Sequence, residues 1–116
     1  MSLRDQKLFI DDILEAIYRI EEYTGNIDFE DFINDKKSID AVIRNLEIVG
    51  EACKNISEDF KRLYPEVNWK NATKMRDKLI HSYFGVDLGI VWETIRIRIP
   101  ELKIQIEKIN KDLDKK

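Results

Sequence analysis

The residues best suited to chemistry are concentrated in one segment, residues 75–87, which reads MRDKLIHSYFGVD. His81 is the single histidine of the chain, and an imidazole can accept or donate a proton near neutral pH. Apolar residues flank Arg76 on the predicted helix, where a guanidinium is costly unless it is paired or meets an anion in a cleft. Asp77 precedes His81 by four residues, so its carboxylate can orient the imidazole; the alternative is a solvated ion pair with a neighbouring lysine.

The charge distribution separates an acidic part of the chain from a basic part. Residues 5–35 carry ten acidic side chains against Lys7 and Arg19, a local balance of −8, although the net charge is only −3. The opposite sign prevails around Arg76, where Lys74 and Lys78 are candidate contacts for RNA phosphates. The plainer interpretation is two differently solvated faces. The functional one is an acidic side for a basic partner and a basic side for phosphate.

Residues 76–83, RDKLIHSY, resemble the RxxxxHxY signature of HEPN-domain toxins, and in particular of the HepT-like branch. Further blocks are similar to the family's pattern and occur in the expected order. They are RNLEIVGEA at 44–52, YPEVNW at 64–69, YFGVD at 83–87, Trp92, and PEL at 100–102. The resemblance therefore covers about residues 11–102, nearly the whole chain.

The resemblance implies an all-α bundle that forms a homodimer, with the two signatures facing each other across the two-fold axis. It implies a metal-independent ribonuclease, the toxin of a toxin–antitoxin pair, with Arg76 and His81 as catalytic residues. It also implies a partner, a small nucleotidyltransferase antitoxin that silences the toxin by attaching AMP to the signature tyrosine, here Tyr83. Without the resemblance, Tyr83 would be interpreted as a half-buried core residue.

The chemistry of these residues is compatible with that activity. Cleavage by the ribose 2′-OH needs a proton acceptor, a proton donor for the leaving oxygen and a cation for the phosphorane. One chain offers one histidine, whereas two facing chains would supply two. On an ideal helix Arg76 and His81 lie about 140° apart. Either the helix unwinds before His81, or Arg76 of one chain acts with His81 of the other.

A polar stripe on the second long helix offers a partner for Arg76. Such stripes are commonly solvated ion-pair ladders, but this one could line the cleft, with Glu51 as the carboxylate that holds the guanidinium. We expect Trp69 and Trp92 to be core residues rather than platforms for bases, and Cys53 to be inert.

Apolar periodicity predicts helices throughout the chain. The first spans about 5–24. The second spans about 38–56 with Ser38 as its N-cap, and Gly50 near its apolar stripe allows a close approach of another helix. A further helix covers about 68–80. Shorter helices are expected over 28–36 and after a Ser57 cap, and the last helix begins near Asp87. The fold class is thus an all-α antiparallel bundle of about four to five helices.

The last helix carries two apolar stripes. One is a heptad seam from Leu88 to Leu113, and the other is Ile90, Ile97 and Ile104, which points nearly the opposite way. A helix that is apolar on two sides favours a dimer, buried through either stripe. Pro100 lies inside the pattern and should kink the helix.

Composition excludes several classes of protein. A chain of 116 residues predicts one domain, 1–116. The sequence lacks a long apolar run or a signal peptide, which predicts a cytoplasmic protein without a membrane partner. One cysteine leaves no internal disulfide or cysteine-based zinc site, and we expect neither metal nor cofactor. The competing function is a non-catalytic helical module that binds a nucleotidyltransferase, a nucleotide, or both.

Overall fold

The computed structural model describes residues 2–81 and 87–115, and all regular elements within them are helical. This confirms the all-α prediction. Four long helices form the bundle, and two short ones lie between them; α6 and α7 are joined through a π-helical turn, Thr94–Arg98, into one continuous helix. The helices are α1 Leu3–Thr24, α2 Phe29–Ile33, α3 Lys36–Asn55, α4 Glu58–Leu63, α5 Trp69–His81, α6 Leu88–Glu93 and α7 Ile99–Asp114.

The core lies where the apolar stripes predict it. α3 packs against α1 and against α5, and α7 packs against α1. Because apolar residues recur at three- and four-residue spacing, each long helix buries one face. On α1 and α3 the side chains with no more than 1% exposure include Ile10, Ile13, Ile17, Ile20, Val42, Leu46, Val49 and Cys53. Among the described helices, none is long and apolar enough to cross a membrane.

Polar side chains at the helix starts fix the boundaries. Ser57 caps α4 and Asp87 caps α6, as the sequence predicts. The predicted cap of α3 is wrong by three residues, because Asp35 and not Ser38 is the N-cap. The Asp35 carboxylate accepts hydrogen bonds from the Ser38 N–H at 3.2 Å and from the Ser38 hydroxyl at 2.7 Å. An acceptor placed earlier satisfies the free N–H groups of the first turn, so the helix starts earlier.

The two apolar stripes of the last helix have different surroundings. The heptad seam faces the protomer's own core, where Ile95, Ile99, Ile106 and Ile109 are at most 5% exposed. The other stripe is exposed: Ile90 by 53%, Ile97 by 54% and Ile104 by 70%. Of the two stripes considered for a dimer, only the second therefore remains available to a partner.

The irregularity expected at Pro100 lies one turn earlier, in the π-helical segment. There the N–H of Ile99 donates to the carbonyl of Thr94, five residues back. Proline has no N–H, and its ring crowds the carbonyl four residues before it, so an ordinary helical turn does not fit at this point. The wider turn accommodates Pro100 and lets the helix continue as α7.

Arg96, within the π-helical segment, ties the last helix to the end of α1. Its Nη2 donates to the carbonyls of Thr24 at 2.9 Å and Ile27 at 2.6 Å. The guanidinium also lies 4.2 Å from the centre of the Trp92 ring, which packs on Phe32. Because carbonyls at a helix end lack intrahelical donors, this contact satisfies groups that would otherwise need water.

Candidate active site

α5 is held at its start by local contacts. The Asn68 side chain accepts from the N–H of Asn71 at 3.1 Å, and the Trp69 indole donates to the Tyr64 carbonyl at 3.1 Å. Trp69 is only 6% exposed, so it is a core residue as expected. This anchor fixes the rotation of the helix, and the rotation determines where Arg76, two turns later, points.

Gly50 allows α5 to approach α3 closely at Arg76. A Cβ built on Gly50 would lie 2.1 Å from the Arg76 Cβ and 2.9 Å from the Ala72 carbonyl oxygen. No side chain at position 50 fits that space without moving α5, which confirms the close approach predicted for this glycine. The first carbons of Arg76 therefore rest on the backbone of α3, and its guanidinium reaches along that helix.

Two carboxylates hold the Arg76 guanidinium. Its Nη2 lies 2.8 Å from Glu51 Oε2, and its Nη1 lies 3.0 Å from Asp77 Oδ1. The Arg76 side chain is 23% exposed, so it is fixed yet still open to solvent. A guanidinium has five N–H groups, more than two single carboxylate oxygens can occupy.

The neighbouring candidates are placed as follows. Among the described contacts, Asp77 pairs with Arg76, its neighbour in sequence, and not with a lysine. Lys74 and Lys78 are exposed on α5. Their role in phosphate binding, like the supporting roles of Asp77 and Glu51, stays a prediction.

A groove opens beside Arg76 on the outer face of α3, with walls from α1 and α5. Its volume is about 320 Å³. Charged and polar groups line it from three helices, namely Asp12 of α1, Arg44, Glu47, Glu51 and Asn55 of α3, and Arg76 of α5. Apolar atoms of Phe9, Ile48 and Ala52 complete the lining. The polar stripe of α3 is thus part of a cleft and not only a solvated ladder.

The helix that carries Arg76 reaches His81 without interruption. Unwinding before His81, one of the two alternatives left open by the sequence, is therefore wrong. The side chain of His81 lies outside the part of the chain that the structure describes. Tyr83 also lies outside the described residues.

The chain matches a family model over most of its length. The model is described as "Ribonuclease HepT-like", and it covers residues 13–109. The protein belongs to the HepT-like ribonuclease family. The all-α fold is the one that the resemblance to this family implies.

Several curated proteins are similar to this HepT-like chain. A protein of Thermococcus cleftensis named "Probable ribonuclease HepT" is 56% identical over 93% of this chain and 98% of its own length. A protein of Methanocaldococcus jannaschii named as a "Putative RNase" is 50% identical over the full length of both chains. Another, from Caldanaerobacter subterraneus and named in the same way, is 42% identical over 92% of this chain. No solved structure matches.

In the part of this HepT-like chain that the structure describes, no group of three or more His, Cys, Asp or Glu side chains could hold a metal ion. Cys53 is buried, and this burial raises the pKa of its thiol to about 12. A thiol with so high a pKa is a poor nucleophile at neutral pH.

Sequence reasoning missed two parts of the site. It identified Gly50 as a place of close approach but did not connect it with Arg76. It also did not foresee that Phe9 and Asp12 of α1 form a wall of the groove. The signal for the first was present, since a glycine within an apolar helical stripe indicates a partner helix in contact. For the second the sequence carried no signal, because α1 is distant in sequence.

Proposed function

We propose that this HepT-like protein is a metal-independent endoribonuclease and the toxin of a toxin–antitoxin pair in the cytoplasm. The observation that carries the proposal is Arg76, which two carboxylates hold at the edge of a groove. A guanidinium fixed in this way is suited to the equatorial oxygens of a phosphorane, because its donors need not be reorganised during the reaction.

The reaction uses the ribose of the RNA as its own nucleophile. The 2′-oxygen attacks the adjacent phosphorus while His81 accepts the hydroxyl proton. Arg76 stabilises the negative charge of the phosphorane. The bond from phosphorus to the 5′-oxygen then breaks, and a second imidazole gives that oxygen a proton. The products are a 2′,3′-cyclic phosphate and a free 5′-hydroxyl.

A homodimer supplies the second imidazole. On the continuous helix α5, positions 76 and 81 lie about 140° apart, so one helix alone does not surround a phosphate with both groups. Two chains facing each other would bring both His81 imidazoles to the two-fold axis, where an Arg76 side chain can reach the same phosphate. The proposal thus includes a composite site at the dimer interface.

Arginine and histidine variants test the enzyme. Arg76→Ala and His81→Ala should each lower the cleavage rate of a defined RNA by at least about 100-fold, the usual scale for a catalytic acid–base group. Arg62→Ala, which removes an exposed arginine of α4 that pairs with Asp59, is the matched control and should cleave normally. Cleavage should persist in EDTA, and RNA with a 2′-deoxy substitution at the scissile nucleotide should be resistant. A fully active His81→Ala protein would contradict the proposal, and a wild type without activity would favour the non-catalytic binding module.

The same proposal assigns a nucleotidyltransferase antitoxin as partner. The Tyr83 hydroxyl oxygen attacks the α-phosphorus of a nucleoside triphosphate, and AMP is attached as pyrophosphate leaves. Tyr83 follows His81 by two residues, so the added anion would compete with RNA for Arg76 and repel its backbone. The alternative is silencing by docking alone, for which the acidic residues 5–35 offer a contact to a basic partner.

Mass spectrometry separates modification from docking. After co-expression with the nucleotidyltransferase, the wild type should gain at least one AMP unit, and Tyr83→Phe should gain none while it keeps its nuclease activity. Tyr23→Phe, which removes the hydroxyl of an exposed tyrosine near the end of α1, is the control and should be modified like the wild type. Equal protection of cells from both proteins without added mass would exclude modification as the mechanism.

A further inference from the structure

We propose that the groove beside Arg76 is a base-binding subsite that selects guanine in the RNA substrate. This inference rests on the proposed function, since it takes Arg76 as the residue that holds the scissile phosphate. The groove and the Arg76 guanidinium share a boundary, because Arg76 itself lines the groove. A nucleotide whose phosphate contacts Arg76 can therefore place its own base or a neighbouring one in the groove.

The groove is large enough for one base. Its volume of about 320 Å³ lies at the lower end of the range for small-molecule pockets, about 300–1,000 Å³. Phe9, Ile48 and Ala52 provide apolar surface for the face of a flat ring. Unstacked bases of single-stranded RNA are commonly bound in this way, with the ring on apolar or aromatic side chains and the edge on polar groups.

Away from Arg76, the charges of the lining favour a neutral group with N–H donors over a phosphate. Glu51 is paired with Arg76, which leaves the Asp12 and Glu47 carboxylates against the Arg44 guanidinium among the described lining residues, so acceptor groups prevail. Ionised carboxylates act only as acceptors, and they would repel the RNA backbone. A base brings N–H groups without negative charge, and it is therefore the part of the nucleotide that the groove can accept.

Guanine is the base that matches both kinds of group in the lining. Its N1–H and N2–H₂ form an adjacent pair of donors for a carboxylate such as Glu47. Its O6 and N7 are acceptors that arginine binds through two hydrogen bonds, and Arg44 lines the same groove. Uracil has a single ring N–H between two carbonyls, so it would place an acceptor against a carboxylate. The expected order of affinity is guanine first and uracil last.

A basic segment of a protein partner fits the groove less well. The acidic side chains would attract a lysine or arginine, but Arg44 and Arg76 line the same opening and would repel it. The apolar atoms of the lining also match a ring better than a charged head group. The observations therefore favour the base, and a basic peptide becomes an alternative outcome of the test.

Binding of nucleoside monophosphates tests the subsite without any cleavage. Isothermal titration should give a Kd for GMP that is lower than the Kd for UMP with the wild type. Glu47→Gln keeps the shape of the side chain but removes its charge, and it should weaken GMP binding about tenfold, the scale of a charge-assisted hydrogen bond. Binding of UMP should change little. Asp40→Asn removes an acid from the same helix that does not line the groove, and it should bind both nucleotides like the wild type.

Three results would overturn the proposed subsite. Equal Kd values for GMP and UMP with the wild type, or GMP binding that is unaffected by Glu47→Gln, would show that the groove does not read a base. An oligolysine peptide whose binding is weakened by Glu47→Gln while GMP binding is unchanged would assign the groove to a basic partner. The proposed function fails separately: a wild type that prefers GMP but does not cleave RNA would refute the nuclease and leave the subsite intact.

Discussion

Replacing Gly50 with alanine should displace Arg76 without altering the Arg76 side chain itself. The variant therefore tests whether the position of this guanidinium, and not only its presence, is needed for activity. The added Cβ would lie 2.1 Å from the Arg76 Cβ, whereas ordinary van der Waals contact begins at 3.4 Å. To restore ordinary contact, the separation would have to grow by about 1.3 Å at this point. The second clash, at 2.9 Å, is with the backbone carbonyl of Ala72, so a rotation of the Arg76 side chain cannot relieve the strain.

The expected loss of stability is moderate and the expected loss of activity is large. Overpacking costs about 1–3 kcal/mol, and the higher helix propensity of alanine returns about 1 kcal/mol. The net destabilisation of about 0–2 kcal/mol corresponds to a fall in Tm of up to about 10 °C. A displacement of about 1 Å in a catalytic group can cost about 100-fold in rate. Gly50→Ala should therefore be folded but nearly inactive.

Circular dichroism melting curves and initial rates of RNA cleavage measure the two effects. Gly89→Ala is the matched control, because its added Cβ would meet only a side-chain oxygen of Asp87, at 3.1 Å, and it should keep its activity. An unchanged Tm together with full activity in Gly50→Ala would refute the reasoning, since α5 could then accept the methyl group without displacing Arg76. A large loss of Tm with full activity would show that the contact is structural only.

Three further predictions concern the packing of the chain. Arg96→Ala removes hydrogen bonds to a carbonyl at the end of α1 and to one in the loop after it, together with a contact with an aromatic ring. Urea denaturation should show a loss of about 1–2 kcal/mol in the free energy of unfolding, and an unchanged midpoint would show that water replaces the guanidinium. Ile97→Glu should convert a dimer into a monomer, as measured by light scattering, whereas Leu63→Glu, at an apolar residue of similar exposure, should not. A dimeric Ile97→Glu protein would exclude the exposed stripe as the dimer interface. Cys53 should not react with a thiol reagent at pH 8 in the native protein, because its pKa of about 12 leaves the thiol protonated. It should react once the chain is unfolded, and rapid reaction in the native state would contradict its burial.

The positions of the helices could be predicted because one physical pattern determines them. An amphipathic helix in a small bundle buries every third or fourth residue, and the stripes of α1 and α3 follow this period without a break. Caps were predictable where a single polar residue stood before the stripe, as with Ser57 and Asp87. Two acceptors compete before α3, and the carboxylate of Asp35 caps the helix while the Ser38 hydroxyl donates to it.

The composition of the site was only partly predictable, because it depends on how helices cross. A charged residue among apolar neighbours requires a partner, so the need of Arg76 for a paired carboxylate or an anion in a cleft could be derived from the sequence. That Glu51 meets this need follows from the distance between α3 and α5, which Gly50 determines. Sequence spacing within one helix gives angles, but it does not give the separation of two helices. The α1 wall of the groove was unpredictable for the same reason.

The surroundings of Arg76 also bear on how such a site would bind RNA. Two carboxylates neutralise much of the charge that a phosphate would meet, so Arg76 alone should contribute little to affinity. Its contribution lies in orientation, since a guanidinium fixed by two acceptors presents its other donors in one direction. Affinity would then come from exposed cations such as Lys74 and Lys78, which attract the backbone without fixing its register. Binding energy raises the rate only where an interaction is stronger in the transition state than in the ground state. We therefore expect the fixed arginine to stabilise the transition state and the exposed lysines to supply affinity for the RNA backbone.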